Sequence, residues 1–81
     1  MYARPRLSDY INNLLYDDCA AAIRQARMCR MDTDIAEMYL LERTPQMDIA
    51  EILGITRSTV SRRLPAILER VEATAHKMGF E

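Results

Sequence analysis

Gly54 separates two segments that each read as a short helix, and no other residue limits the fold as much. Upstream, Thr44 is a good N-cap and Pro45 suits a first helical position, so the sequence predicts a helix over Pro45 to Leu53. Glycine tolerates the left-handed backbone that a tight helix stop needs. Ile55 follows, Thr56 is a second N-cap, and another helix starts at Arg57. Two helices that cross steeply need a small residue where they touch, and Ala50 supplies it. They also need an apolar residue in the second helix to lock the crossing, and Val60 fits. Ile49, Leu53, Ile55 and Leu64 fill the core around them. The spacing predicts a helix-turn-helix, whose second helix suits a DNA major groove.

An Ala-Gly-Val spacing also arises by chance in helical hairpins, so the second helix has to be judged on its composition. With Val60 inward, Leu64, Ile67 and Val71 lie within about 40° of it at 100° per residue. Ser58 and Arg62 then face solvent, flanked by Thr59 and Ser61. Short hydroxyls beside an arginine allow close approach to base edges, and Arg can pair bidentately with guanine. No acidic residue occurs between Glu51 and Glu69. A merely solvated face would more often interleave Glu with Lys.

Period-3.6 patterning covers most of the chain and no segment alternates with period two, which predicts an all-α fold of four to five helices. A first helix can follow the N-cap Ser8 and run to about Arg30, burying Ile11, Leu14, Leu15, Cys19, Ala22, Ala26 and Cys29. Asp17-Asp18 can mark a break, so one long helix and two short ones both remain open. Asp32-Thr33-Asp34 is a cluster of N-cap residues, predicting a helix from Asp34 to about Arg43. Ile35 and Tyr39 define one side of it while Leu40 and Leu41 point away, so it needs cover on two sides. One domain over residues 1–81 is expected, with residues 1–32 as a supporting or dimerisation element and 33–76 as the helix-turn-helix unit.

Pro65 falls inside the expected recognition helix, where it removes the bond to the Ser61 carbonyl and costs about 3 kcal/mol. The apolar pattern nevertheless continues to Ile67, Leu68 and Val71, so a kink or a break with a restart is expected there.

Composition narrows the function classes. With 49% hydrophobic and 28% charged residues the chain should fold, yet a length of 81 residues leaves a modest core that a partner chain would help. No apolar run of about 18 residues exists, so no membrane helix is expected. The start, Met1-Tyr2-Ala3-Arg4-Pro5-Arg6, leads into polar residues, so no secretory signal is read and a cytoplasmic, nucleoid-associated protein is expected. Cys19 and Cys29 on one helix would stand about 15 Å apart, which forbids a bridge and predicts buried free thiols. One His and no Cys-x-x-Cys give no recognisable metal spacing, and neither a cofactor nor a catalytic residue is expected. His76, near a helix end, is read as capping carbonyls.

The net charge is −1, which taken alone argues against nucleic acid, but ten of the eleven basic residues are Arg. Arginine suits planar, bidentate contacts. Arg24, Arg27 and Arg30 are spaced by three, as a slanting stripe on the first helix that could meet phosphates or pair with acids on a neighbouring helix. Arg4 and Arg6 could enter a minor groove, although a frayed terminus fits them better.

Ile49 to Leu64, read as I-A-E-I-L-G-I-T-R-S-T-V-S-R-R-L, resembles region four of bacterial sigma factors. The same string is similar to the DNA-binding ends of resolvases, invertases and transposases, and to LuxR-type regulators. The resemblance covers roughly Asp34 to Val71. It implies that Arg57, Ser58, Ser61 and Arg62 read bases and that Thr56 and Thr59 bond phosphates, with Thr56 also serving as the cap. Arg63 lies to the side, where a phosphate or an acidic neighbour could take it. A complete sigma factor is not expected, since the segments that melt DNA and hold the polymerase core do not fit in this length.

A sequence-specific DNA-binding regulator of bacterial or phage type is therefore the leading expectation, with double-stranded DNA as partner. The alternatives are a protein-interaction module docking on RNA polymerase or another regulator, and the DNA-binding accessory of a recombination system. A homodimer through the N-terminal helix or the tail after Pro65 is favoured. Met28, Met31, Met38, Met47 and Met78 could fill core gaps or line its contact.

Overall fold

In a computed structural model, residues 9–80 fold into five helices with no strand among them. Helix α1 is Asp9–Asn13, α2 Tyr16–Gln25, and α3 Arg30–Ala36. A π-helical turn, Glu37–Leu41, continues α3. Helix α4 is Gln46–Leu53 and α5 is Arg57–Lys77. The expected all-α bundle of four to five helices is the observed architecture. The Ser8 cap and the arm with Arg4 and Arg6 lie outside the described residues.

The long α5, about 30 Å at 1.5 Å per residue, is the spine. Val60, Leu64, Ile67, Leu68, Val71 and Ala75 on one face of it are buried, and α2, α3 and α4 all pack against it. Ile23, Ile35 and Ile49 come from α2, α3 and α4 to meet that face, each at most 1% exposed. One continuous core results. Each such side chain contributes about 1.5–3 kcal/mol.

Several expected boundaries are corrected. The N-terminal helix is interrupted, but at Leu14-Leu15, not at Asp17-Asp18. Leu15 is extended (φ −66, ψ 152) and opens α2, so both aspartates lie in that helix's first turn, where its dipole favours them. Helix α2 ends at Gln25 because Arg27 turns left-handed (φ 52). Ile23 joins the core, whereas Leu15 (72% exposed) and Cys29 are turned outward. The two cysteines lie on different elements, Cys19 buried and Cys29 exposed, so only one is the buried thiol expected.

Helix α3 starts four residues before Asp34, with Cys29 extended at its entry. Asp32 and Asp34 do not cap it but use their carboxylates in ion pairs, with Arg63 and Arg30. Thr44 does not cap α4 through its side chain: Pro45 is the extended entry residue (φ −62, ψ 151), and the helix begins at Gln46. Helix α5 passes through Pro65 without a break and restart. Buried Leu64, Ile67, Leu68 and Val71 on both sides of the proline offset its roughly 3 kcal/mol cost, and its ring faces solvent. His76 stacks on the Tyr10 ring, with centroids 3.9 Å apart and planes at 13°.

Candidate nucleic-acid interface

Four residues, Gly54, Ala50, Val60 and Leu64, define how α4 meets α5. Gly54 is left-handed (φ 70, ψ 31). The Ile55 N–H donates to the Ala50 carbonyl at 3.0 Å and the Gly54 N–H to that of Glu51 at 3.3 Å, the paired bonds of a Schellman stop. Ala50, Val60 and Leu64 are buried, at 5%, 0% and 0% exposure. All three belong to the one core cluster, so the Val60–Leu64 face of α5 is the one turned inward.

Thr56 then starts α5 from an extended conformation (φ −80, ψ 154), its Oγ1 accepting from the Thr59 N–H at 3.2 Å. The same oxygen lies 2.8 Å from Thr59 Oγ1 and 3.1 Å from Ser58 Oγ. Three hydroxyls thus form one cluster at the mouth of the helix, with Thr56 as its cap.

The outward face carries the cations. Arg57 and Arg62 are exposed, while Ser58, Thr59 and Ser61 are half-buried beside them. Arg62 Nε donates weakly to the Ser58 carbonyl at 3.5 Å, a contact at the edge of hydrogen bonding that a better acceptor displaces easily. Arg63 is engaged elsewhere, donating from Nη1 to Asp32 Oδ1 at 2.9 Å. The acidic neighbour left open for it is thus on α3.

Helix α5 differs from the others at its start. Each of α1 to α4 has at least one Asp in its first turn: Asp9, Asp17 with Asp18, Asp32, and Asp48. In α5 the first turn has no acid and begins with Arg57. The first turn of this 21-residue helix therefore contributes no carboxylate to its own positive end, which favours an approaching anion.

The arginine stripe is not one helical face. Arg24 lies in the last turn of α2, Arg27 in the left-handed turn and Arg30 at the start of α3, where it pairs with Asp34 at 3.4 Å. All three are exposed. Between that turn and α5 runs an open groove of about 630 Å³, where Arg27 and Arg70 alternate with Asp32 and Glu69. Its mixed charge is poorer for phosphate than the acid-free start of α5. Arg70, not singled out from sequence, also ties α5 to α2 by donating from Nε to the Ala26 carbonyl at 2.9 Å.

Two further features had no sequence signal. Gln46, at the start of α4, is 9% exposed and its Oε1 has no hydrogen-bond partner. Arg43 sits left-handed (φ 57) beside Cys19, whose thiol burial pushes up against a smaller downward pull from that guanidinium. Among the described residues, no group of three or more His, Cys, Asp or Glu is placed to hold a metal ion, and no helix is long and apolar enough to cross a membrane. No family model, curated protein or solved structure matches the chain.

Proposed function

We propose that the chain is a sequence-specific DNA-binding protein that regulates transcription, with the N-terminal turns of α5 entering the major groove as the second helix of a helix-turn-helix. One observation supports this above the rest. Helix α5 alone starts without an acid, on a stretch free of carboxylates from Ile52 to Leu68, and turns Arg57, Ser58 and Arg62 outward while Val60 and Leu64 anchor it. Arg62 is the base reader, with Ser58 and Ser61 allowing close approach, and Arg57 and the Thr56 hydroxyl cluster meet phosphates. The net charge of −1 then limits non-specific binding, since acidic surface elsewhere repels the duplex.

Selection of bound duplexes from a random pool, followed by titration of the enriched sequence at two salt concentrations, tests it. An enriched motif and a steep loss of affinity with salt are expected, because each phosphate contact releases counterions. No binding at about 50 mM salt overturns the proposal.

A second possibility has its own support. The outer face of α4 exposes Met47 (53%) and Ile52 (65%) together with Asp48 and Glu51, and α4 carries no basic residue. An acidic-apolar face of that kind fits a cationic protein partner such as a polymerase subunit. It becomes the leading function if DNA binding fails.

A further inference from the structure

We infer that the chain forms a two-fold homodimer through a self-complementary patch at the junction of α1 and α2, in which Leu15 of each copy fills a cleft of the other. The cleft has an apolar side formed by Ile11, Leu14, Leu40 and Leu41 and a polar rim that includes Asn12 and Arg43, and its volume is about 110 Å³. A cavity of about 150 Å³ accommodates the six carbons of benzene, so the four carbons of a leucine side chain need about 100 Å³. Leu15 is 72% exposed and stands in the chain between Leu14 and Tyr16, both of which line the cleft. Knob and hole therefore share one small patch. That arrangement lets two copies related by a two-fold axis exchange knobs at once. Tyr16, 63% exposed, adds aromatic area around the contact.

Charge fits the same pairing. Exposed Asp17 does not line the cleft but follows the lining residue Tyr16 in α2, and exposed Arg43 lines it just after the π turn. Opposed by a two-fold axis, each Asp17 meets the other copy's Arg43. Arg43 also holds a left-handed backbone (φ 57), a conformation that glycine adopts at lower cost. No lining residue comes from α4 or α5, so a seated copy leaves the start of α5 uncovered.

Sedimentation of the full chain without DNA across the micromolar range is the test, and it is independent of whether the protein binds DNA. The wild type is expected to self-associate to a dimer. Leu15→Glu should be monomeric yet equally helical, and its thermal melt should match that of the wild type diluted until it too is monomeric, since the position is solvent-facing in the single chain. Asp17→Arg and Arg43→Asp should each weaken association about tenfold, and the double variant should recover it, because reversal in both partners restores the pairing. A monomeric wild type, a dimer that survives Leu15→Glu, or a double variant no better than the singles each overturns the inference.

Discussion

The Arg63 guanidinium stands 2.9 Å from Asp32 Oδ1 and so ties the second turn of α5 to the first turn of α3. Its neighbour Arg62 has only a 3.5 Å contact to the backbone one turn back. Adjacent arginines on one helix thus have different surroundings, and on the proposed function different tasks. Arg62→Ala should weaken binding to the preferred DNA sequence by about 1–3 kcal/mol and flatten base preference at one position. Arg63→Ala should leave base preference intact and change stability by at most about 1 kcal/mol, as its side chain is 44% exposed. Binding measured over a panel of single-base variants, with melts in parallel, separates the two. Equal weakening on every sequence by Arg62→Ala would make it a phosphate contact.

Gly54 is positioned by backbone conformation alone. A Cβ there meets nothing within 4 Å, yet φ is 70. Gly54→Ala should therefore cost about 1–2 kcal/mol through the left-handed penalty. Gly54→Asn should cost less, because asparagine visits that region more readily. Chemical denaturation of the three proteins gives the order; equal losses for Ala and Asn would indicate a steric cause instead.

Pro65 is exposed and sits one turn past Ser61, whose carbonyl its ring nitrogen cannot satisfy. Pro65→Ala should stabilise the fold by about 1–3 kcal/mol, with the gain lessened by a more flexible unfolded chain. A rise in the midpoint of denaturation is the expected readout, and a fall would show that the ring has a packing role.

The raised Cys19 thiol links stability to alkaline pH. The folded state holds the proton to higher pH than the unfolded chain does, so its stabilising effect is complete below the ordinary thiol pKa of about 8.5. It is lost as pH rises from there through the folded value. Stability should fall above about pH 8.5, and Cys19→Ala should flatten that slope. Exposed Cys29 should meanwhile react with a thiol reagent in the native protein, with Cys19 protected until unfolding.

How much of this was readable beforehand depended on whether the residue type advertised its conformation. Gly54 did, and so did the apolar spacing of Ala50, Val60 and Leu64: Gly54 is left-handed and the other three are buried. Arg27 and Arg43 did not. Both adopt the left-handed backbone usually given to Gly or Asn, so the end of α2 and the π turn carried no visible stop. Asp32-Thr33-Asp34 misled for a different reason: the same short acids suit an N-cap and an ion pair, and tertiary partners at Arg63 and Arg30 decided the outcome. At Pro65 the local preference for a break was outweighed by packing on both sides. The outward turn of Leu15 depends on an extended residue within an otherwise helical pattern, which periodicity alone cannot signal.

The Tyr10 hydroxyl donates to the Phe80 carbonyl, and the Tyr10 ring lies flat on His76, so the start of α1 and the end of α5 meet at one pole of the molecule. Arg57 begins α5 some 30 Å away, at the other pole. A fluorophore attached at Lys77 would accordingly report on the clasp of Tyr10 with Phe80 and His76 at a distance from the start of α5. Opening of that clasp would then be observable separately from any binding at the start of α5.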